Sequence, residues 1–335
     1  MAGHALQFTG PKTVELRELT VGPPGPDELL IETSYSAISP GTELLVYRNQ
    51  LPADLPVDES LTNFEGTFSY PVEYGYATVG TVTETGAAVD TEWKGQWVFA
   101  FEPHRSLFRA EPSEVIPIPD GIGPEAGTML ATVETAMNLV LDSQPRIGER
   151  VAVFGAGVIG LTTIRLLAAF PVSELDVVEP IHSRRELARE FGADRVLTPA
   201  EASTELTEMD LAVELSGQPD GLDDAVGVVG FDGRIVVGSW YGNKRAPLDL
   251  GSRFHRNRIS ITSSQVSTLA PELRGRWDNR RRVETAFDWL ERLETDRLIS
   301  HRIPFEEAAH AYELLDTTPA ETLQVVLTYD RPHEA

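Results

Sequence analysis

Around Arg150 the hydrophobic pattern of the chain changes. Val151-Ala152-Val153-Phe154 is an unbroken apolar run, and Gly155-Ala156-Gly157-Val158-Ile159-Gly160 follows it. A second apolar stretch then continues to Phe170 and stops at Pro171. The pattern predicts a buried strand, a tight turn and a buried helix. The rhythm repeats downstream. Ser173–Val178 reads as a short strand ending at Glu179-Pro180, and Arg184–Asp194 as a helix stopped at Gly192. Asp210–Gly217 and Gly233–Gly238 read as further parallel strands ending in small residues. The first 120 or so residues differ: short β-like runs (Glu28–Thr33, Ala77–Thr85, Trp97–Phe101, Val115–Ile118) alternate with Gly/Pro turns. A helical pattern covers Pro124–Asp142. After Ser264 come a helix at Glu284–Leu293, the run Ile299–Pro304, a helix at Phe305–Leu315 and a last strand at Gln324–Tyr329. No internal repeat is visible.

The glycine turn carries the first functional expectation. Gly155 permits the sharp turn, Gly157 lets the backbone approach a pyrophosphate, and Gly160 lets the helix pack on the strand. The helix start at Val158 and Ile159 offers backbone N–H groups to an anion, beside Ala156. Glu179 follows Gly160 by 19 residues, close to the spacing of the acid that accepts hydrogen bonds from the adenosine ribose hydroxyls. Glu179 would repel a 2′-phosphate, so NAD is the expected cofactor. Arg184 and Arg185 leave NADP open. Ser216, Gly217 and Gly238, at the ends of the next two strands, complete the expected cofactor-binding set.

Composition narrows the classes. There are 335 residues, which makes two domains the natural expectation. The chain has no cysteine, which excludes disulfides, thiolate metal sites and cysteine nucleophiles. Its net charge is −24, with 52 acidic residues against 28 basic ones, and lysine occurs only at 12, 94 and 244. Acids spread along the whole chain with so little lysine suit a cytosol of very high salt, where repulsion is screened. A halophilic source and a cytoplasmic location are expected, and nucleic-acid binding is disfavoured. Met1–Phe8 lacks a basic stretch followed by an apolar run, so no signal peptide is read. Val151–Phe170 approaches membrane-spanning length, but its three glycines and Arg165 fit a buried strand and helix better.

A β-rich start, a mid-chain nucleotide fold and an ending that reads Ile299-Ser-His-Arg-Ile-Pro-Phe-Glu-Glu-Ala-Ala-His-Ala-Tyr-Glu-Leu-Leu315 with Gln324-Val-Val-Leu-Thr-Tyr329 resemble the medium-chain dehydrogenase/reductase superfamily of the zinc alcohol dehydrogenase type. The resemblance covers almost the whole chain. It implies an α/β protein with a GroES-like β domain (1–130), a doubly wound Rossmann NAD(P)-binding domain (131–265), and a linking helix with a C-terminal return (266–335) that completes the first domain. It also implies an active site between the domains and a homo-oligomer, dimer or tetramer. Ser36-Ala-Ile-Ser-Pro-Gly-Thr-Glu43 is similar to a signature of bacteriochlorophyllide dehydrogenase-like members, which implies alcohol/ketone redox chemistry.

The family's zinc ligands have no counterparts here. Its first ligand, in Gly-Ile-Cys-Gly-Thr-Asp, aligns with Pro40 in Ile38-Ser-Pro-Gly-Thr-Glu43. The second, in Gly-His-Glu, aligns with Tyr76 in Gly75-Tyr-Ala77, and the third falls near Ala131. The four-cysteine structural loop is absent. Catalytic zinc needs three protein ligands, so no metal is expected; a set rebuilt from His104, Glu134 and Glu43 is the remaining alternative. A hydrogen-bond donor must then meet the oxygen that gains charge. The candidates are Tyr76, Thr42 (at the family's proton-relaying Ser/Thr), His104 and Glu134.

One segment runs against the overall charge. Between Arg253 and Arg282 lie eight arginines and His255. Arginine forks suit phosphate and carboxylate, so Arg253, Arg256 and Arg276, with Arg105 and Trp240, are candidate contacts to a small, anionic substrate. Pairing with the chain's own carboxylates, or a subunit contact, is the alternative. The resulting expectation is a zinc-independent oxidoreductase moving a hydride between NAD(P)(H) and a secondary alcohol or ketone. A quinone or enone reductase, and a nucleotide-binding protein without catalysis, are the alternatives.

Overall fold

The computed structural model describes residues 1–57 and 66–329. Two compact units emerge, one of Met1–Ala131 with Phe287–Ala335 and one of Thr132–Ala286. Residues 266–286 thus belong with the second unit, and the return to the first begins at Phe287.

In Thr132–Ala286, six parallel strands form one sheet in the order Arg195–Leu197, Glu174–Val178, Arg150–Phe154, Met209–Glu214, Val229–Val237, Ser260–Ser263. This order reverses direction between Arg150–Phe154 and Met209–Glu214, the point where a doubly wound sheet opens a crevice at its carboxyl edge. Val151, Ala152, Val153, Leu211, Ala212 and Val213 are all fully buried, as strands covered on both faces require. Helix Val158–Leu167 is likewise buried over most of its surface. Helix His182–Glu190 ends just before Gly192, whose φ is +112°. Thr198 and Glu201 cap Pro199–Glu205 reciprocally.

The other unit is built on an antiparallel sheet centred on Leu29–Ile38, which pairs with Thr78–Thr85 along one edge. Its other edge is shared. Leu107–Ala110 takes the first half, and Gln324–Thr328 the second, with Val325 opposite Ile38. Ile299–Pro304 lies parallel to Gln324–Thr328 at the sheet's end. Trp97–Ala100 and Val115–Pro117 extend the opposite side. Leu29, Leu30 and Ile31 are all fully buried, so both faces of this central strand are covered. The hairpin Ala2–Gly10/Thr13–Thr20 has no counterpart in the sequence reading. Elsewhere boundaries shift: Gly233–Gly238 lies inside the longer strand Val229–Val237, and Glu284–Leu293 overlaps helix Asn279–Leu290. Phe305–Leu315 splits into a 3-10 turn, Phe305–Glu307, and helix Ala308–Thr317. No described helix is long and apolar enough to cross a membrane.

Candidate active site

At the end of strand Arg150–Phe154 the backbone turns at Gly155, with φ +97°. A Cβ on Gly155 would stand 2.8 Å from the backbone of Leu215, and one on Gly160 would stand 2.1 Å from the Gly155 carbonyl oxygen. Neither position admits a side chain. Gly157, at the start of helix Val158–Leu167, is different: a Cβ there would have only Arg184 Nη1 nearby, at 3.9 Å. The backbone at Ala156–Gly157 and the first turn at Val158 and Ile159 therefore form an open cradle at a helix N-terminus, where unpaired N–H groups suit a pyrophosphate.

Glu179 stands beside that cradle at the end of the next strand. It is almost fully buried, and its carboxylate accepts from the backbone N–H of Ala156 at 2.7 Å and of Ile181 at 2.9 Å. A carboxylate has about four lone-pair positions, so two remain for a ribose diol. Arg185 donates to the carbonyls of Glu179 and Pro180 and fixes the loop. Burial lowers the Arg184 pKa, and the nearby Glu179 charge opposes that shift. These residues fit a dinucleotide.

The ends of the neighbouring strands are tied to one another. Ser216 N–H donates to buried Glu214 at 2.8 Å, and the Ser216 and Tyr241 hydroxyls bond to the same carboxylate. Gly217 N–H donates to Ser239 Oγ at 2.8 Å, Gly238 N–H to Glu214 O at 3.0 Å, and Lys244 Nζ to Gly217 O at 2.7 Å. The loop that carries half-exposed Trp240 is thereby anchored at the carboxyl edge of the sheet.

In the β-rich unit, three hydroxyls gather at Tyr76. Tyr76 OH lies 2.6 Å from Ser39 Oγ and 3.3 Å from Thr42 Oγ1. Burial pushes the Tyr76 pKa up, the hydrogen bonds with Ser39 and Thr42 oppose it, and the charge of Glu43 adds to it. Tyr76 thus holds its proton and can donate. Thr42 precedes the short helix Glu43–Tyr47.

His104, expected just past a strand end, is fully buried. Its Nε2 is 2.9 Å from Glu43 Oε2, and its Nδ1 is 2.7 Å from Ser36 Oγ. Tyr312 OH also bonds to Glu43 Oε2, and Tyr329 OH lies 2.9 Å from Ser36 Oγ. Glu134 is buried as well: Arg282 Nε donates to it at 3.0 Å and Arg282 Nη1 to Asn138 at 2.8 Å. Burial raises the Glu134 pKa and Arg282 opposes the shift. His104 and Glu43 are thus paired with each other, and Glu134 with Arg282. Among the described residues, no group of three or more His, Asp or Glu side chains is arranged to hold a metal ion. The side chains of Pro40 and Ala131 carry no donor atom for a metal.

The anion-binding candidates are placed variously. Arg105 donates to Glu73 and to Glu102, each at 2.7 Å. Arg253 donates to Glu208 and to the Val229 carbonyl, both at 3.0 Å. Arg256 and Arg276 are exposed. Of the remaining arginines, Arg280 pairs with Glu284 and Arg281 lies over Trp277. Ser39, Glu43, Ser36, Tyr312 and Tyr329 were not among the candidate catalytic residues. Glu43 entered only through the alternative metal set, and the others only as members of the quoted family-like runs.

The zinc-binding dehydrogenase family matches residues 158–291. D-guloside 3-dehydrogenase of Escherichia coli K12 is 24% identical over 330 residues, 90% of this chain and 93% of the relative. The 2-desacetyl-2-hydroxyethyl bacteriochlorophyllide A dehydrogenase of Rhodobacter capsulatus is 27% identical over 344 residues, covering 98% and 99% of the two chains. Among solved structures, the alcohol dehydrogenase RspB of E. coli CFT073, complexed with NADH, superposes with a TM-score of 0.77 at 19% identity over 98% of this chain and 99% of that one. At that identity the likeness concerns the fold.

Proposed function

This chain belongs to the medium-chain dehydrogenase/reductase superfamily, and from that premise we propose that it is a zinc-independent oxidoreductase that moves a hydride between NAD(H) and a secondary alcohol or ketone. The observation that carries the metal-free part is Tyr76, at the position of one of the family's zinc ligands, with its hydroxyl gathered beside those of Ser39 and Thr42. The nicotinamide, when bound, supplies or accepts the hydride. Everything else falls to the chain. The cradle at Gly155–Gly160 holds the pyrophosphate. Glu179 accepts from the ribose hydroxyls and repels a 2′-phosphate. Tyr76 donates a hydrogen bond to the carbonyl oxygen as it gains charge in reduction, the proton that completes the alcohol passes through its hydroxyl and is replaced from water, and oxidation returns a proton to water by the same route, with Thr42 and Ser39 orienting the phenol.

Two relatives support the substrate class. They are named for oxidation at a guloside 3-position and at a hydroxyethyl group, both secondary carbinols. Purified protein tested with NADH and a panel of ketones, and with NAD and the matching alcohols, should turn over at least one pair after exhaustive chelation. Tyr76→Phe should lower kcat by about a hundredfold, the cost of losing one donor to a developing oxyanion. Activity that disappears on chelation and returns with zinc would overturn the metal-free reading. Turnover of enones with none of ketones or alcohols would overturn the substrate class.

A further inference from the structure

A buried histidine and a buried carboxylate lie directly behind the hydroxyl cluster. His104 and Glu43 both have zero exposure. Because Glu43 Oε2 is a carboxylate acceptor 2.9 Å from Nε2, the hydrogen-bond network assigns a proton to His104 Nε2. Ser36 Oγ, backed by Tyr329 OH, closes the other side of the ring at Nδ1. The second oxygen of Glu43 accepts from the backbone N–H of Ser39 at 2.7 Å, and Glu43 N–H donates back to Ser39 O at 2.9 Å. Glu43 thus holds the segment that presents Ser39 and Thr42.

The imidazole also sets the opposite segment. Gly75, immediately before Tyr76, has φ +128°, and a Cβ there would stand 2.6 Å from His104 Cδ2 and Nε2. The backbone at Gly75 therefore packs closely against the imidazole. One side chain touches both halves of the hydroxyl cluster, through packing on one side and through Glu43 on the other.

We infer that His104 and Glu43 are a positioning pair: the imidazole fixes the Gly75–Tyr76 and Ser39–Glu43 segments against each other, so that the Tyr76, Ser39 and Thr42 hydroxyls stay in register. Neither residue touches substrate. This rests on the proposed role of Tyr76 as hydrogen-bond donor. Tyr312 OH and the Ser39 backbone N–H face Glu43, Ser36 Oγ faces His104 with Tyr329 OH behind it, and the charge acting on the Tyr76 phenol is that of Glu43.

The test uses the full chain labelled with ¹³Cζ-tyrosine, with Tyr76 assigned by its loss in Tyr76→Phe. NADH binding, read by fluorescence, serves as the control for folding. Glu43→Gln removes the charge and should move the Tyr76 ionisation to lower pH. His104→Gln, which keeps an N–H donor for Glu43, should leave the Tyr76 resonance close to its original shift, whereas His104→Phe should displace it. In the alcohol and ketone assays His104→Phe should lower kcat with little change in KM, and His104→Gln should recover most of the loss. An unmoved Tyr76 ionisation in Glu43→Gln, or equal effects of Gln and Phe at 104, would overturn the positioning pair. Should Tyr76→Phe retain full turnover, the donor role of Tyr76 fails instead, and the resonance shifts still decide whether His104 and Glu43 set its position.

Discussion

Glu179 and Ala156, 23 residues apart in sequence, meet through a hydrogen bond of 2.7 Å from the Ala156 backbone to the Glu179 carboxylate. The contact holds the acid against the turn that receives the pyrophosphate, so one carboxylate serves both the turn and the adenosine ribose. Glu179→Ser should weaken NADH binding about tenfold, equivalent to about 1.4 kcal/mol, and should raise the affinity for NADPH relative to NADH. Fluorescence titration with each cofactor measures both. Tighter binding of NADPH than NADH to the unaltered protein would contradict the assignment.

Gly160 is the second point of contact between turn and helix. An added methyl would stand 2.1 Å from the Gly155 carbonyl oxygen, a distance that only backbone displacement can relieve. Gly160→Ala should cost about 1–3 kcal/mol of stability, the usual range for overpacking a close contact. It should also weaken NADH binding, because the displaced carbonyl belongs to the cradle. Urea unfolding curves and an NADH titration on the same preparation separate the two effects. Normal cofactor affinity in a folded Gly160→Ala protein would show that the cradle tolerates the shift.

Glu102 supplies a pH dependence that is independent of catalysis. Burial raises its pKa from 4.5 to about 7, with Arg105 opposing and Glu73 and Glu114 adding to the shift. The folded value lies above the unfolded one, so the folded state holds the proton more tightly. This contribution to stability is complete below about pH 4.5 and is lost as pH rises through about 7. At 1.36 kcal/mol per unit, its ceiling is about 3 kcal/mol. Glu102→Gln keeps an acceptor for Arg105 and removes the titration. Urea unfolding at pH 5, 6, 7 and 8 and constant salt should show the variant gaining on the unaltered protein as pH rises, by up to that amount. A constant difference across the series would refute the buried-proton assignment.

The parts of this molecule that were legible in the sequence are those whose signals are local. The parallel strands announce themselves as short apolar runs, because both faces of each are covered. The glycine turn is readable because Gly155 and Gly160 occupy positions that no side chain can enter. The break after Phe191 is readable for a similar reason at Gly192. The hydroxyl cluster was only half legible: Tyr76 and Thr42 stand out by alignment with a family motif, whereas Ser39 joins them through the fold. His104 and Glu134 show the limit. Each looks like an exposed or functional titratable group in isolation, yet each is buried against a partner far along the chain. Glu43 lies 61 residues from His104, and Arg282 lies 148 residues from Glu134. A buried polar group requires such a partner, but no local pattern says which residue provides it.

The pairing of Gln324–Thr328 with Leu29–Ile38 sets an order of assembly. The nucleotide unit is a continuous segment and can close as soon as Ala286 has left the ribosome. The unit that starts first finishes last, since half of one edge of its central strand waits for residues made some three hundred positions later. Until they arrive, the backbone N–H and C=O groups of Tyr35–Ile38 lack their strand partner, and Ser36 lacks Tyr329. During synthesis the β-rich unit is therefore an open-edged intermediate, exposed to mispairing, and the buried network around His104 is the last part of the molecule to be sealed.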